Sequence, residues 1–141
     1  MSSENPALEK SYAFALRTVK LCKVLASERK EYVLSKQLLR SGTSIGANVE
    51  EANGAQSERD FLSKMSIAYK EARESHYWLR LLRDSETISI KEATSILTDC
   101  DELLKLLGTI LKTCPPKLQR RRNPPPKTVL TNHILNSQIP N

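Results

Sequence analysis

Cysteine is scarce in this chain, three in 141 residues, and Cys22, Cys100 and Cys114 stand too far apart to make a C-x-x-C pair. That excludes the disulfide framework of small secreted domains and the paired-thiol zinc sites, and it fits a reducing cytoplasm. Aromatic residues make up only 5%, and no stretch shows the period-two alternation of β-branched and aromatic residues that strands favour. No run approaches the roughly 18 apolar residues a membrane span needs. The start, MSSENPALEK, lacks an apolar core of signal-peptide type, so neither export nor insertion is expected.

Catalytic signatures are missing too. There is no G-x-S-x-G and no phosphate-cradling glycine loop. Cys22 and the single histidine of the first 113 residues, His76, have no third group in readable sequence relation to orient them. A carboxylate-bridged metal pair in a helical bundle needs Glu-x-x-His units, but Arg73 occupies the position three before His76, so Glu71 and Glu74 miss the spacing. Glu50, Glu51, Glu71 and Glu74 therefore read as a solvated face, as helix partners of Lys and Arg, or as intersubunit contacts. No cofactor, no metal and no enzymatic activity are expected.

Leu, Ala, Glu, Lys and Arg dominate the first four fifths of the chain, which predicts an all-α protein. The net charge of +6 changes meaning once it is placed. Residues 1–113 hold all 16 acids and 17 of the 22 Lys and Arg, leaving +1, whereas residues 114–141 hold five bases and no acid. Within the first part, residues 1–40 carry eight bases against four acids. A basic face is expected there, built from Lys20, Lys23, Arg29, Lys30, Lys36 and Arg40.

Helix grammar recurs four times. Asn5-Pro6 pairs a capping side chain with a first-turn proline, opening a helix to about Ala26. Its expected core stripe is Leu8, Tyr12, Ala15, Val19, Cys22 and Ala26, widened by Leu16 and Leu25. A second helix is expected over roughly 31–52, ending at Asn53-Gly54, two residues that accept the left-handed conformation. Ser57 with Asp60 caps a third helix to about Arg83, with Phe61, Met65, Ala68, Ala72 and Leu79 inward. Ser89 with Glu92 caps a fourth that ends before Cys114-Pro115-Pro116, with a stripe of Ala93, Ile96, Leu97, Cys100, Leu103, Leu104, Leu107, Ile110 and Leu111. Short turns between four such helices predict an antiparallel up-down-up-down four-helix bundle.

The second helix has a poor helix-forming centre, Ser41, Gly42, Thr43, Ser44 and Gly46. Each interior glycine costs about 1 kcal/mol against alanine, so Gly42 and Gly46, one turn apart, are expected to be helix-packing residues that let a neighbour come close. A tight hairpin turn would set Gly46 near Met65 and Gly42 near Tyr69 on the third helix. Ile67, Trp78 and Leu81 form a second apolar line on that helix, an expected oligomer interface. His76, Tyr77 and Trp78 beside Arg73, Arg80 and Arg83 are also ingredients for stacking on bases, although a lone helical tryptophan more often packs in a core or interface.

Beyond Thr113 the composition shifts to Pro115, Pro116, Arg120, Arg121, Arg122 and three further prolines at 124–126, a basic, Pro-rich disordered tail over residues 114–141. Its three arginines are expected to add phosphate contacts. The mildly apolar end, 129–139, reads as a frayed terminus that could dock on a partner or on the bundle.

Two segments, GTSIGANVEEA from Gly42 and KEARESHYWLRLL from Lys70, occur in order within a chain that closely resembles the four-helix bundle proteins encoded by intervening sequences of bacterial large-subunit ribosomal RNA genes. The resemblance covers about residues 7–113. It implies an antiparallel bundle assembled as a homopentameric ring, related in fold to the accessory variability proteins of diversity-generating retroelements, which use a basic ring surface to engage nucleic acid and a reverse transcriptase. No catalytic residue carries over, and the tail lies outside the resemblance. The sequence thus leads to a non-enzymatic, cytoplasmic homo-oligomer that associates with RNA or DNA. The alternative is a structural oligomer, or one docking an unidentified protein, without nucleic-acid affinity.

Overall fold

Four capped helices account for almost every residue that the computed structural model describes, 5–113. They are α1 (Pro6–Ser27), α2 (Val33–Asn53), α3 (Glu58–Asp84) and α4 (Ile90–Lys112). Each packs on the next, and α4 returns beside α1 in the loosest of the four pairings, giving an antiparallel up-down-up-down bundle. The tail, with Cys114, Arg120, Arg121, Arg122 and the apolar end at 129–139, lies outside the described residues.

The caps form as the sequence predicts. The Asn5 side chain accepts from the Leu8 N–H at 3.2 Å, Ser57 accepts from Asp60 at 3.0 Å, and Ser89 and Glu92 exchange the two bonds of a capping box, both 3.0 Å. Helix α2 starts two residues later than expected because Glu31 is used as a cap. Its carboxylate accepts the N–H groups of Leu34 and Ser35 at 3.0 and 2.7 Å, satisfying donors the first turn cannot bond internally. The left-handed residues are also misplaced by sequence reasoning. Gly54 keeps φ near −97°, with its N–H bonded to the Glu50 carbonyl, and the positive φ angles fall at Lys30 and Glu86, in the other two turns.

The core holds Phe14, Leu25, Leu38, Ile45, Met65, Leu79, Leu82, Leu103 and Leu107, all fully buried. On α4 the expected stripe faces inward: Ala93, Ile96, Leu97, Cys100, Leu103 and Leu107 are buried, and Leu104, Ile110 and Leu111 pack half-buried against them. On α1 the helix is rotated from expectation. Its buried face is Ala7, Ser11, Phe14, Thr18, Cys22 and Leu25, while Tyr12 is 68% exposed and Leu16 46%.

The two glycines explain that rotation and correct their expected partner. A Cβ on Gly42 would lie 2.6 Å from Thr18 Cγ2, and one on Gly46 would lie 3.3 Å from the Ser11 backbone oxygen. Both therefore face α1 and not Met65 and Tyr69 of α3. Ser41, one residue before Gly42, is the position that meets α3, where the Ser75 hydroxyl donates to its oxygen at 2.8 Å in the buried interior. One residue of helix turns the chain by about 100°, so Gly42 is aimed at the other neighbour. Only small side chains fit the α1–α2 seam, and its two hydroxyls bond their own helix, Ser11 to the Leu8 carbonyl and Thr18 to that of Phe14. Satisfied in this way, they are buried without the cost of an unpaired hydroxyl.

Candidate nucleic-acid interface

The six expected bases at the α1–α2 end differ in what they touch. Arg29 donates to the Thr87 carbonyl at 2.9 Å and to Glu92 at 2.8 Å, tying the α1–α2 turn to the start of α4. Arg40 is held by Glu71 at 3.2 Å and by Glu74. Both are structural clasps whose charge is largely answered within the fold. Lys20, Lys23, Lys30 and Lys36 are exposed, and among the described residues none of them makes an ion pair; Lys30 donates to the Ser27 carbonyl at 3.0 Å.

Two of these lysines, Lys23 and Lys36, line a shallow apolar groove of about 260 Å³ between α1 and α2, with Val19, Cys22, Ala26, Tyr32, Ser35 and Leu39. Tyr32 is 53% exposed, and Tyr12, Leu16 and Leu39 are exposed too. The sequence reading missed this surface, since it placed Tyr12 and Leu16 in the core. The signal available was the pairing of small residues, Ser11 and Thr18 against Gly42 and Gly46.

On α3, Trp78 and Leu81 are half-buried and one turn apart, and Trp78 packs against the core. Ile67 is exposed but lies three turns away. Between them Glu71 and Glu74 grip Arg40, so the expected apolar line is broken by charge. Tyr77, the neighbouring residue, is 47% exposed.

Both thiols of the described residues are poor nucleophiles. Burial first, then the Glu31 carboxylate, pushes the Cys22 thiol up to about 11, and burial, then Asp101 and Asp99, pushes Cys100 up to about 12; a thiol attacks as thiolate. Desolvation raises Glu71 above the ordinary carboxylate range despite Arg40. Among the described residues, no group of three or more His, Cys, Asp and Glu side chains is placed to hold a metal ion, and no helix is long and apolar enough to cross a membrane.

Capped ends, a glycine seam and the closing α1–α4 pairing define the bundle, and the sequence model of the 23S rRNA-intervening sequence protein family matches it over residues 3–109. The chain belongs to that family. A solved structure of a protein of unknown function from the S23 ribosomal protein family of Bacteroides thetaiotaomicron is 53% identical, covering 76% of this chain and 99% of that one, with a TM-score of 0.75. No curated protein matches the chain. Family membership fixes the architecture, while function has to be argued from the surface.

Proposed function

We propose that this 23S rRNA-intervening sequence family protein is a non-enzymatic homo-oligomer, a pentamer, that binds nucleic acid, RNA foremost, through a basic surface, in the cytoplasm and without a cofactor. The observation that carries the reading is the set of four exposed lysines at one end of α1 and α2, Lys20, Lys23, Lys30 and Lys36, none of them paired with an acid among the described residues. Unpaired surface cations release counterions from phosphates, which gives affinity without sequence readout. Arg29 and Arg40 border the surface as paired neighbours, and the basic tail, 114–141, adds Arg120, Arg121 and Arg122.

Self-association is supported by the apolar side chains a monomer leaves in water, Tyr12, Leu16, Tyr32, Leu39 and Ile67, and a closed ring would cover such a surface. Ile67, Trp78 and Leu81 remain interface candidates, with Arg40, Glu71 and Glu74 as the polar centre of that side. The alternative, an oligomer that docks protein and not nucleic acid, is favoured by the apolar lining of the α1–α2 groove.

The test is RNA binding by nucleic-acid-free protein across a salt series, with sedimentation to count subunits. Binding should weaken steeply with salt, and truncation after Thr113 should lower the log–log slope by about 0.7 to 0.9 for each phosphate that the tail no longer neutralises, uniformly across sequences. Absence of binding at low salt would leave the protein-docking reading, and a monomer at micromolar concentration would remove the ring.

A further inference from the structure

The solvent side of α3 carries Lys70, Arg73, Tyr77 and Arg80, at steps of three, four and three residues and so on one stripe of the helix. All four are exposed. The Arg80 guanidinium lies over the Tyr77 ring, 5.8 Å from its centroid. Trp78 meets the same ring edge-on with centroids 5.1 Å apart, and because Trp78 is itself packed on the core, Tyr77 is braced from beneath while almost half of it remains in water.

Of the acids bordering this stripe, Asp84 is held by Arg83 at 2.8 Å and also attracts Arg80, and Asp101 lies 3.1 Å from the His76 ring nitrogen. Among the described residues Lys70, Arg73 and Arg80 have no ion pair. The His76–Asp101 contact also marks the antiparallel register of α3 and α4, so Lys105, one turn after Asp101, comes level with the turn of Arg73. Helix α4 then ends at Lys112.

We infer that the α3–α4 face is a track for single-stranded nucleic acid, with Tyr77 as the platform on which one base stacks and Lys70, Arg73, Arg80 and Lys105 contacting its phosphates. The inference rests on the nucleic-acid reading above and adds to the α1–α2 lysines a face that distinguishes single strand from duplex. A plain run of lysines would take any polyanion. An exposed ring flanked by arginines can stack only on a base that is free of its own stack, so the occupant is single-stranded. From Lys70 to Arg80 the stripe is about 15 Å long.

The experiment uses the full chain and two fluorescein-labelled probes, a uridine 20-mer and a 20-base-pair RNA duplex, in anisotropy titrations at several salt concentrations. Tyr77→Leu should weaken the single strand about 5- to 160-fold with little change in salt slope. The triple change Lys70→Gln, Arg73→Gln and Arg80→Gln should lower that slope by about 2. Lys91→Gln, at an exposed lysine opening α4, serves as the charge control and should alter neither. Photocrosslinking the unaltered protein to a 5-iodouridine oligomer should place the adduct on Tyr77, a readout that no folding defect can mimic. If the parent binds the 20-mer but Tyr77→Leu and the triple change bind equally well, or the adduct falls elsewhere, the track is overturned while the nucleic-acid reading survives. If the parent binds neither probe at low salt, both fall together.

Discussion

Replacing Gly42 by alanine sets two opposing effects against each other at a single atom. In an unconstrained helix the change would stabilise α2 by about 1 kcal/mol. Here the new methyl would sit 2.6 Å from Thr18 Cγ2, 2.7 Å from Thr18 Oγ1 and 3.1 Å from Thr18 Cβ. Turning the threonine cannot clear all three, because Cβ stays in place and the hydroxyl is bonded to the Phe14 carbonyl at 2.9 Å. Thr18 is fully buried, so α1 has to move away, and overpacking of this kind costs about 1 to 3 kcal/mol. The clash outweighs the propensity gain, and Gly42→Ala should destabilise by about 1 kcal/mol net. Thr18→Ala removes the two nearer atoms, so the double variant should recover most of the loss, with a coupling energy of about 1 to 2 kcal/mol in a double-mutant cycle. Urea unfolding of the four proteins at one fixed concentration measures it. A Gly42→Ala protein stabilised by the full propensity term, with no coupling to Thr18, would refute the close seam.

That seam is also where the sequence was hardest to read. Four helices, their order and the caps at Asn5, Ser57 and Ser89 were legible, because capping is chemistry between residues three apart and leaves a local trace. The stripe of α4 was legible because a helix of Leu and Ile with charged residues between has one possible inner face. Helix α1 was not, since counting apolar side chains selects Tyr12 and Leu16, whereas the glycines of α2 admit only Ser11 and Thr18 to the interface. Burial there follows from the shape of another helix, which local periodicity cannot contain. The same limit applies to charge. Arg29 and Arg40 read as members of a basic patch, but their partners Glu92, Glu71 and Glu74 come from residues 31 to 63 positions away and neutralise them only in three dimensions. The unpaired stripe of Lys70, Arg73 and Arg80 around Tyr77 was present in the sequence as ingredients, and only the fold separates Tyr77, which faces water, from Trp78, which faces the core.

Gly46→Leu should lower the thermal midpoint despite its better helix propensity, because the Cβ already lies 3.3 Å from the Ser11 backbone oxygen and the rest of the side chain has no space without separating α1 from α2; an unchanged or raised midpoint would show that the site opens to solvent. The pH dependence is carried most clearly by Glu92. Its carboxyl is held down to about 2 by the Arg29 guanidinium first and by the Ser89 backbone N–H next. A carboxyl depressed in the folded state binds a proton more readily when unfolded, so its stabilisation is complete above the unfolded value, near 4.5, and is lost as pH falls from there toward about 2. The side chain is more than a third exposed, so solvent screening makes the effect modest. Lowering pH through that window should loosen the α4 cap and the Arg29 clasp together, since both use the same carboxylate. Glu92→Gln should therefore be less stable than the parent at neutral pH and lose stability less steeply in acid, with the two midpoint curves converging toward pH 2. Parallel curves over that range would mean that the Glu92 proton is not coupled to unfolding.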